Sequence, residues 1–412
     1  MSKAKIVIIG GGVIGLVTAL RMLDSNHEVI LIDYQEPGSG TSYGNAGTIA
    51  EYAVLPVGSP SILKNLPSLL LNKNSPIAIN RSEILTLAPW LIRFLYQSSS
   101  KKAAKNAKAI SDLLVDCRQR WELLVKEINA NSTLKSNGCL YFYNKKSSFE
   151  AGKKDMTKRK MLGLNVEMLS PLELQKLEPN LDMIEGGASF FPDGAYLNDP
   201  GKIMKLLLQS AVKRGCKVII KAADKIERSS EGVKVYLNDN SQIDAKHVVI
   251  SAGAYSKKFA KQAGDYVPLE TERGYHIEYD MSEPLLNRPS CSVEKGFYMS
   301  PMTGRLRVAG TVEFGGLDQT ISKHRIDHLK RGVSEFFPDL GDPNRSWLGF
   351  RPSIPDSRPV ISESSKGNDI IYAFGHGHIG LTLAPITAEI IESIITKTKP
   401  PVEISQYSVK RF

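Results

Sequence analysis

The sequence predicts an α/β protein of two domains, one on a mainly parallel, doubly wound sheet and one of α+β type on a mainly antiparallel sheet. Three features lead to this fold class: a strand, glycine turn and helix near the N-terminus, later strands with similar glycine-rich ends, and strand runs beyond residue 268 with few helices between them. The 412 residues also exceed what one compact core holds.

The first unit passes from a strand through a glycine turn into a helix. Residues Lys5–Ile9 are a β-branched apolar run, residues 10–15 read Gly-Gly-Gly-Val-Ile-Gly, and residues 16–23 have amphipathic helical spacing. A second apolar strand, Glu28–Asp33, ends in a carboxylate. This order is that of a Rossmann-like dinucleotide-binding unit, although a purely structural βα corner is the alternative.

Each residue of the turn suits a bound pyrophosphate. Gly10 allows a tight turn, Gly12 lets the backbone approach the phosphates, and Gly15 lets the helix pack close to the strand. The N-terminus of the helix that follows offers free N–H groups and a partial positive charge, and Val13 and Ile14 of the turn are candidate cofactor contacts.

The acid at the end of the second strand narrows the choice of cofactor. Asp33 lies about 20 residues beyond the turn, where a carboxylate accepts a hydrogen bond from a ribose hydroxyl. Because a carboxylate repels a 2′-phosphate, FAD or NAD is favoured over NADP. Tyr34 follows directly and is a further candidate contact.

Residues 35–47 form a loop of small and hydroxyl side chains. Its position after the ribose-binding acid predicts contacts with a second part of a long cofactor, against the alternative of a structural loop. The candidate contacts in it are Thr41, Ser42, Asn45, Ala46 and Gly47.

Composition excludes several classes of protein. With 42% hydrophobic and 23% charged residues, the chain has the composition of an ordinary globular protein. The four cysteines are scattered, so we expect no disulfide framework and no metal site. The first strand begins at Lys5, too early for a signal peptide, which predicts a cytoplasmic protein.

The formal charge of +10 does not by itself indicate nucleic-acid binding. The lysine runs at residues 101–108 and 153–160 carry no interleaved aromatic side chains, so a solvated helix face is the simpler interpretation. A mild attraction to anionic lipid remains open, and we expect no nucleic acid as a partner.

Further along the chain, helices are predicted over residues 84–96, 111–128 and 201–214, with short helices between residues 156 and 177. Strands are predicted at residues 138–143, 216–221 and 247–251, with a hairpin over residues 225–242. The last of these strands leads into Ala252 and Gly253, small residues that allow close backbone approach to a cofactor.

The C-terminal half adds an antiparallel sheet and a third glycine turn. Alternation from residue 268 puts Arg273, Tyr275 and Ile277 on one face and His276 and Glu278 on the other. A strand over residues 370–374 leads into Gly-His-Gly-His-Ile-Gly and then into a helix over residues 381–395. The N-terminus of this helix would again offer a partial positive charge to a bound group.

Three blocks together carry a family resemblance: the first glycine motif, Val-Val-Ile-Ser-Ala-Gly-Ala-Tyr-Ser at residues 248–256, and Arg-Pro, Pro-Asp-Ser-Arg-Pro and Gly-His-Gly-His-Ile-Gly between residues 351 and 380. The chain resembles the FAD-dependent D-amino acid oxidase superfamily over nearly its whole length. Residues 41–47 and the Ala-Pro-Trp-Leu-Ile-Arg-Phe run at 88–94 are most similar to bacterial D-amino acid dehydrogenases of the small-subunit type.

The resemblance implies FAD along the first domain, with its flavin between the domains, and an amine substrate that gives a hydride to flavin N5. It implies that Arg351 binds the substrate carboxylate, with a structural ion pair as the alternative. It also places Tyr275, His276 and Tyr298 near the substrate, with packing in the sheet as the alternative. The turn under the flavin pyrimidine would contribute Gly375, Gly377, His378, Ile379, Gly380, Leu381 and Thr382.

The same resemblance predicts the mode of attachment and the domain limits. Related enzymes with covalent flavin use a histidine after the second strand or a late cysteine, whereas this chain has Tyr43 and Gly44 and no cysteine after Cys291, so we expect non-covalent FAD. The predicted FAD-binding domain comprises residues 1–55, 198–265 and 350–412. The predicted substrate-binding domain comprises 56–197 and 266–349.

The predicted reaction is oxidation of a D-amino acid, or of a cyclic imino acid such as a D-proline derivative, with electrons passed to a quinone or other carrier. The imine would hydrolyse to a 2-oxo acid and ammonia. Three alternatives stay open: an oxygen-using amine, glycine or sarcosine-type oxidase, a 2-hydroxy acid dehydrogenase with His276 or His378 as base, and a non-catalytic FAD-binding subunit. Contact with the inner face of a membrane stays open as well.

Overall fold

The computed structural model describes residues 3–60, 77–79, 84–182 and 184–412. Residues 61–76, 80–83 and 183, which belong to the predicted substrate-binding segment, lie outside the described residues. Within the described part the helices are α1 Val13–Asp24, α2 Ile84–Gln97, α3 Ser100–Leu114, α4 Cys117–Glu127, α5 Lys146–Met161, α6 Pro171–Leu177, α7 Pro200–Lys213, α8 Ser256–Gln262, α9 Lys323–Ser334 and α10 Gly380–Thr396.

The strands of the first half are β1 Lys5–Ile9, β2 Glu28–Asp33, β3 Thr48–Ile49, β4 Ile77–Ile79, β5 Leu134–Lys135, β6 Cys139–Phe142, β7 Glu167–Leu169, β8 Ala188–Phe191, β9 Ala195–Leu197 and β10 Lys217–Ile220. Those of the second half are β11 Ala223–Ser229, β12 Gly232–Leu237, β13 Gln242–Ala245, β14 His247–Ile250, β15 Glu270–Asp280, β16 Ser290–Ser292, β17 Phe297–Met302, β18 Arg305–Phe314, β19 Arg345–Ser353, β20 Val360–Ser364 and β21 Gly367–Phe374.

The parallel sheet has the order β10-β2-β1-β14-β21-β20, with β20 antiparallel at the edge. Its central strands are apolar on both sides because both faces are covered. Ile6 and Ile8 pack with α1 and α10 on one face, and Val7 and Ile9 pack on the other face with the small sheet β11-β12-β13 and α8. This is the burial expected of a parallel sheet, and it confirms the α/β prediction.

The helix α10 is the long apolar core helix of this part. Among the described residues, the stretch 377–396 is long and apolar enough to cross a membrane, but most of it is buried against the rest of the protein. Its burial against α1 and α4 is the ordinary environment of a core helix, so this length carries little weight as a membrane signal.

One long helix predicted over residues 111–128 is wrong. Helix α3 ends at Leu114 and α4 begins at Cys117, because Asp116 adopts a left-handed conformation with φ of 56°. The apolar residues keep their helical spacing across the break, so the sequence pattern did not reveal that two helices meet there. Trp121 of α4 donates its indole N–H to Leu381 O at 3.0 Å, which fixes α4 on α10.

This packing bears on the domain division, which stays a prediction. Helices α3 and α4 belong to the predicted substrate-binding segment 56–197, yet their buried residues share one core with α1 and α10. We therefore propose that residues 100–127 belong with the cofactor-binding part.

Two further elements differ from the predictions. The stretch 156–177 contains β7 between α5 and α6, and the hairpin predicted at 225–242 is a three-stranded unit, β11-β12-β13. A strand of three residues is too short to show a clear alternation of apolar and polar residues, which explains why β7 was not predicted. The capped start of α7 is as predicted: Asp199 accepts a hydrogen bond from the Lys202 N–H at 3.0 Å.

The second large sheet has the order β19-β15-β18-β17-β16-β6-β8-β7, and β4 pairs with β18. Its long strands are antiparallel, as predicted. The predicted alternation in β15 is confirmed, since Tyr275 and Ile277 enter the core beneath α9 while His276 and Glu278 face the other way.

A buried ion cluster ties this sheet to the parallel one. Glu278, 1% exposed, accepts hydrogen bonds from the Nε atoms of Arg305, Arg307 and Arg345 at 2.9, 2.8 and 2.9 Å. Arg307, also fully buried, donates Nη1 to Tyr43 O at 2.8 Å and to Asn45 O at 2.7 Å. The cluster thus holds the loop that follows β2.

Replacing Glu278 by glutamine should destabilise the protein by about 3–5 kcal/mol, because it leaves buried guanidinium groups without their counter-charge. Burial raises the pKa of Glu278, but Arg307 and the other guanidiniums outweigh this and lower it to about 2. The stabilisation is therefore complete above the ordinary glutamate pKa of about 4.3 and lost as the pH falls through about 2.

Urea unfolding of wild type and E278Q between pH 7 and pH 2, at equal FAD loading, measures this difference. The gap should narrow as the pH falls. Glu227→Gln is the matched control, since its carboxylate pairs with Lys225 at the exposed surface and should show no measurable change. An equal effect of both variants, or a gap that widens in acid, would contradict the account.

Candidate active site

A cavity of about 1100 Å³ lies where the carboxyl ends of the parallel strands meet the face of the antiparallel sheet. One end is lined by the first glycine turn and the end of β2. The other end is lined by residues of β17, β18 and β19 and by the last glycine turn. Open α/β sheets bind ligands outside the carboxyl ends of their strands, so the position is the one that the fold favours.

The first glycine turn leaves no room for side chains. Gly10 has φ of +106°, and a Cβ there would lie 2.4 Å from Ser251 O. A Cβ on Gly15 would lie 1.9 Å from Gly10 O, which confirms that Gly15 permits close packing of α1 on β1. Gly12 faces the cavity, where the nearest atom to an added Cβ is Ser42 Oγ at 3.1 Å.

The N-terminus of α1 is open toward the cavity. The helix has no side-chain N-cap, and Gly12, Val13 and Ile14 line the cavity beside it. Val13 donates its N–H to Ser42 Oγ at 2.9 Å, which joins the predicted cofactor loop to the helix start. Uncapped N–H groups at a helix N-terminus fit an anionic pyrophosphate.

Asp33 closes this end of the cavity. Its Oδ2 accepts the Gly11 N–H at 2.6 Å and its Oδ1 accepts the Gln35 N–H at 3.1 Å. Burial raises the pKa of Asp33, while these hydrogen bonds act in the opposite direction. Tyr34, half exposed, and Tyr255 form an edge-to-face pair 5.6 Å apart in the same wall.

The cofactor loop is held from the side of the antiparallel sheet. Besides Arg307, His276 makes a 3.0 Å hydrogen bond from Nδ1 to Gly44 O. Thr41 Oγ1 donates to Phe350 O at 3.0 Å and accepts the Phe350 N–H at 3.1 Å, beside Arg351. Consecutive loop carbonyls therefore point at the sheet, and the loop's cavity side is left for a ligand.

The last glycine turn forms the floor. Gly377–Ile379 is a 3₁₀ turn that leads into α10, which has no side-chain N-cap. Gly377, Gly380 and Leu381 line the cavity, while Thr382 instead accepts the Ala50 N–H at 3.0 Å and holds the neighbouring β3 segment. A second helix dipole is thus directed at the cavity.

These features fit FAD. Two helix N-termini whose N-cap residues provide no side-chain cap, a glycine at position 12 that lines the cavity with backbone alone, and a carboxylate at the end of β2 match a long dinucleotide with an anionic middle. The residues that would hold it are those of the turn at 10–14, Asp33, the loop at 41–46 and the turn at 377–381.

At the other end of the cavity lies Arg351. Its Nη1 donates to Thr311 O at 2.9 Å, which is the sole hydrogen bond of the guanidinium to residues that the structure describes. A Cβ on Gly274 would lie 2.3 Å from Arg351 Cζ, so Gly274 makes room for the side chain. Burial lowers the pKa of Arg351, and nearby Glu272 acts to raise it.

Beside Arg351, His378 faces a buried carboxylate. His378 Nε2 lies 2.9 Å from Glu272 Oε2, and Glu272 is 3% exposed. Glu272 Oε2 has no hydrogen bond of good geometry to the described residues, so the imidazole is in close contact with the carboxylate without a directed hydrogen bond. Burial raises the pKa of Glu272, but the charge of His378, the Ser353 hydroxyl and Arg351 together bring it below its ordinary value.

Two tyrosines predicted near the substrate lie in this wall with their hydroxyls engaged. Tyr275 donates its hydroxyl to Glu313, and burial is the main cause that raises its pKa. Tyr298 donates to the hydroxyl of Tyr141 at 2.9 Å. Neither hydroxyl is therefore an ionised base at neutral pH.

The structure brings most of the predicted site residues to the cavity. Those that line it are Gly10, Gly12, Val13, Ile14, Asp33, Tyr34, Thr41, Ser42, Asn45, Ala46, Ala252, Gly253, Tyr275, Tyr298, Arg351, Gly377, His378, Gly380 and Leu381. Five predicted cofactor residues stand behind the lining and shape it: Gly15, Gly47, Gly375, Ile379 and Thr382.

His276 also stands outside the lining. It is 1% exposed, its ring stacks on Trp347 at 5.0 Å, and burial with the Arg307 charge lowers its pKa to about 3. In this position it supports the loop carbonyl of Gly44 rather than facing a ligand.

Sequence reasoning missed Glu272, Arg307, Trp347 and Thr311. Thr311 has φ of +60° and lies in a bulge of β18 opposite Gly274, and no local sequence pattern predicts such a residue. The ring of Trp347 would overlap a Cβ on Gly44, 2.3 Å away, or on Gly349, 1.9 Å away. The Trp-Leu-Gly-Phe-Arg run at residues 347–351 was the one sequence feature that could have pointed to Trp347.

Comparison with known proteins identifies the class of protein. The profile of the DAO family, described as FAD dependent oxidoreductase, matches residues 5–394. The chain therefore belongs to this family and is an FAD-dependent oxidoreductase. The predicted cofactor and the predicted resemblance are confirmed.

Named relatives extend over the whole chain. It is 30% identical over 99% of its length to a D-amino-acid oxidase of Bradyrhizobium diazoefficiens, of which 98% is covered. It is 26% identical over 99% of its length to a D-amino acid dehydrogenase of Rhizobium rhizogenes, which is covered completely.

Among solved structures, glycine oxidase from Geobacillus kaustophilus superposes with a TM-score of 0.79 at 20% identity, with both chains fully covered. L-proline dehydrogenase from P. horikoshii gives a TM-score of 0.76 at 19% identity over 100% of this chain and 98% of that one. These likenesses confirm the predicted fold class.

Asp33→Ala should weaken FAD binding about tenfold or more, because it removes a charged acceptor worth about 1.5–3 kcal/mol from the ribose end and frees the Gly11 N–H. Quenching of flavin fluorescence on titration into apoprotein measures this. Glu28→Ala is the matched control, since Glu28 begins the same strand and pairs with Lys217 at the far surface. Equal FAD affinity of D33A and E28A would contradict the assignment.

Proposed function

We propose that the protein oxidises a D-amino acid, or a cyclic imino acid such as a D-proline derivative, with Arg351 as the residue that binds the substrate carboxylate. The observation that carries this is a guanidinium that lines the cavity with a single hydrogen bond to the described part of the chain. A guanidinium offers a planar pair of donors that matches a carboxylate, so its remaining N–H groups suit an amino acid.

The rest of the wall near Arg351 supports a substrate with an uncharged side chain. Gly296, Ala309 and Gly310 leave space there, and Val312 and Ile321 supply apolar surface. A charged side chain would lose part of its hydration against this apolar surface, at a cost in free energy.

FAD supplies the acceptor for the hydride that leaves the substrate α-carbon. The chain's own part is to fix the carboxylate on Arg351, to hold that arginine through Thr311 O and Gly274, and to keep water from the reacting carbon with the sheet wall. The oxidised product is an imine. Water converts it to a 2-oxo acid and ammonia, while a cyclic imine persists.

The names of the relatives support the substrate class. Relatives similar over the full length include a D-amino-acid oxidase and a D-amino acid dehydrogenase, so both an oxidase and a dehydrogenase are compatible with the sequence. We favour transfer of the electrons to a quinone or another carrier, in a cytoplasmic protein; contact with the inner face of a membrane stays an open alternative. FAD attachment is non-covalent in this proposal.

The 2-hydroxy acid alternative is less well supported. It would need a base that removes a hydroxyl proton, and His276, one of its two candidates, is buried outside the cavity with a pKa of about 3. The other candidate, His378, lines the cavity and could serve as that base.

Arg351→Met should raise the KM for the D-amino acid about 100-fold or more, because it removes a bidentate charge-assisted contact of about 3 kcal/mol. FAD content should stay at the wild-type level, since Arg351 lies at the far end from Asp33. Steady-state kinetics with an artificial electron acceptor, together with flavin absorbance, measure both quantities.

Arg331→Met is the matched control, because Arg331 is exposed on α9 and away from the cavity. It should retain the wild-type KM. If R351M and R331M both keep the wild-type KM for amino acids, the substrate carboxylate is bound elsewhere and the proposal is wrong.

A further inference from the structure

We propose that His378 and Glu272 form a proton-accepting pair that removes a proton from the substrate ammonium group before the α-hydrogen leaves. This inference rests on the proposed function and adds a positioning residue, Glu272, to the same site. Its basis is the convergence of a cavity-lining histidine, a buried carboxylate and the carboxylate-binding arginine on one small area.

The three side chains come from three elements. Glu272 of β15 pairs directly across the sheet with Arg351 of β19. His378 comes from the 3₁₀ turn at Gly377–Ile379, and its Nε2 lies 2.9 Å from Glu272 Oε2. An amino acid whose carboxylate sits on Arg351 therefore lies next to His378 as well.

Access separates the roles of the pair. His378 and Arg351 line the cavity, whereas Glu272 is 3% exposed and stands behind them. Glu272 Oε2 has no aligned hydrogen-bond donor within the described residues. A buried carboxylate oxygen in this state is costly, and a proton transferred from the substrate to the adjacent imidazole would offset that cost. Glu272 thus acts on the substrate only through His378.

Groups of both charges surround His378. Glu272 on β15 is a carboxylate neighbour and Arg351, its cross-strand partner on β19, is a cationic one. His376 in the same turn is buried and bonded to Thr387 Oγ1 at 3.0 Å, and burial lowers its pKa to about 3, so it stays neutral. A substrate carboxylate on Arg351 cancels the charge of that arginine.

The chemistry of the step is a single proton transfer. Because Nε2 lies 2.9 Å from Glu272, we take Nδ1, the other ring nitrogen, as the atom that accepts the proton. The N–H bond of the ammonium breaks, the proton joins Nδ1, and the amine keeps the electron pair. That lone pair then assists departure of the hydride, which an ammonium group cannot do. The imidazolium is neutralised by Glu272 until its proton passes to solvent.

The test compares anaerobic flavin reduction by a D-amino acid in wild type, H378Q and E272Q between pH 6 and pH 10. A general base contributes about 100-fold or more, so H378Q should be slower by that factor at pH 7. The deficit should shrink as the pH rises, because the substrate then loses its proton to water. E272Q keeps the imidazole and should show a smaller deficit, with the acid limb of its pH profile moved to lower pH.

A second readout separates loss of the base from loss of the site. A 2-oxo acid has the carboxylate but no ammonium group, and its binding perturbs the flavin absorbance. H378Q and E272Q should bind it within about threefold of wild type, since Arg351 is intact. His324→Gln, at an exposed position of α9, is the matched histidine control and should keep the wild-type pH profile.

The outcomes distinguish the two proposals. If D-amino acids reduce the flavin of H378Q with the wild-type rate and pH dependence, the proton-accepting pair is overturned and the proposed function stands. If H378Q and E272Q fail to bind the 2-oxo acid, the two residues are structural and the pair is overturned as well. If no D-amino or cyclic imino acid reduces wild-type flavin, both proposals fail.

Discussion

The buried contact between Glu278 and Arg307 joins the two halves of the site. Arg307 reaches from the antiparallel sheet to the carbonyls of Tyr43 and Asn45, and Glu278 compensates its charge. Without that contact the loop after β2 would lack its support on the sheet side, and backbone carbonyls would be left buried without donors. His276 and Thr41 reinforce the same junction with hydrogen bonds of about the same length.

This junction explains how two sheets of different type share one cavity. The parallel sheet contributes backbone: glycine turns and uncapped helix N-termini that suit an anionic cofactor. The antiparallel sheet contributes side chains, because alternation along β15 and β19 brings Glu272 and Arg351 opposite each other. In the proposed site, backbone groups of one sheet would hold the cofactor and side chains of the other would bind the substrate.

The parts of the site that could be predicted are those with a local signal. The strands Lys5–Ile9 and Glu28–Asp33 have the predicted bounds, because apolar runs end there at a glycine and at a carboxylate. The break at Asp116 could not be predicted, since aspartate tolerates the left-handed conformation without any glycine to mark it.

The missed site residues depend on contacts between distant segments. Arg307 looks like a surface residue of a strand, and its burial follows from partners on the loop at 43–45 and on β15. Glu272 acquires a role only when the turn that carries His378 folds back on the sheet. Neither position has a periodicity or motif that reveals its partner.

The most direct test of the account is anaerobic reduction of the bound flavin, followed as loss of absorbance near about 450 nm. The purified protein is mixed with matched D- and L-amino acids, cyclic imino acids and 2-hydroxy acids. The account predicts bleaching by one or more D-amino or imino acids and none by the L-amino acids. A flavin that stays oxidised with all of the D-amino and imino acids, or that only a 2-hydroxy acid reduces, would contradict it.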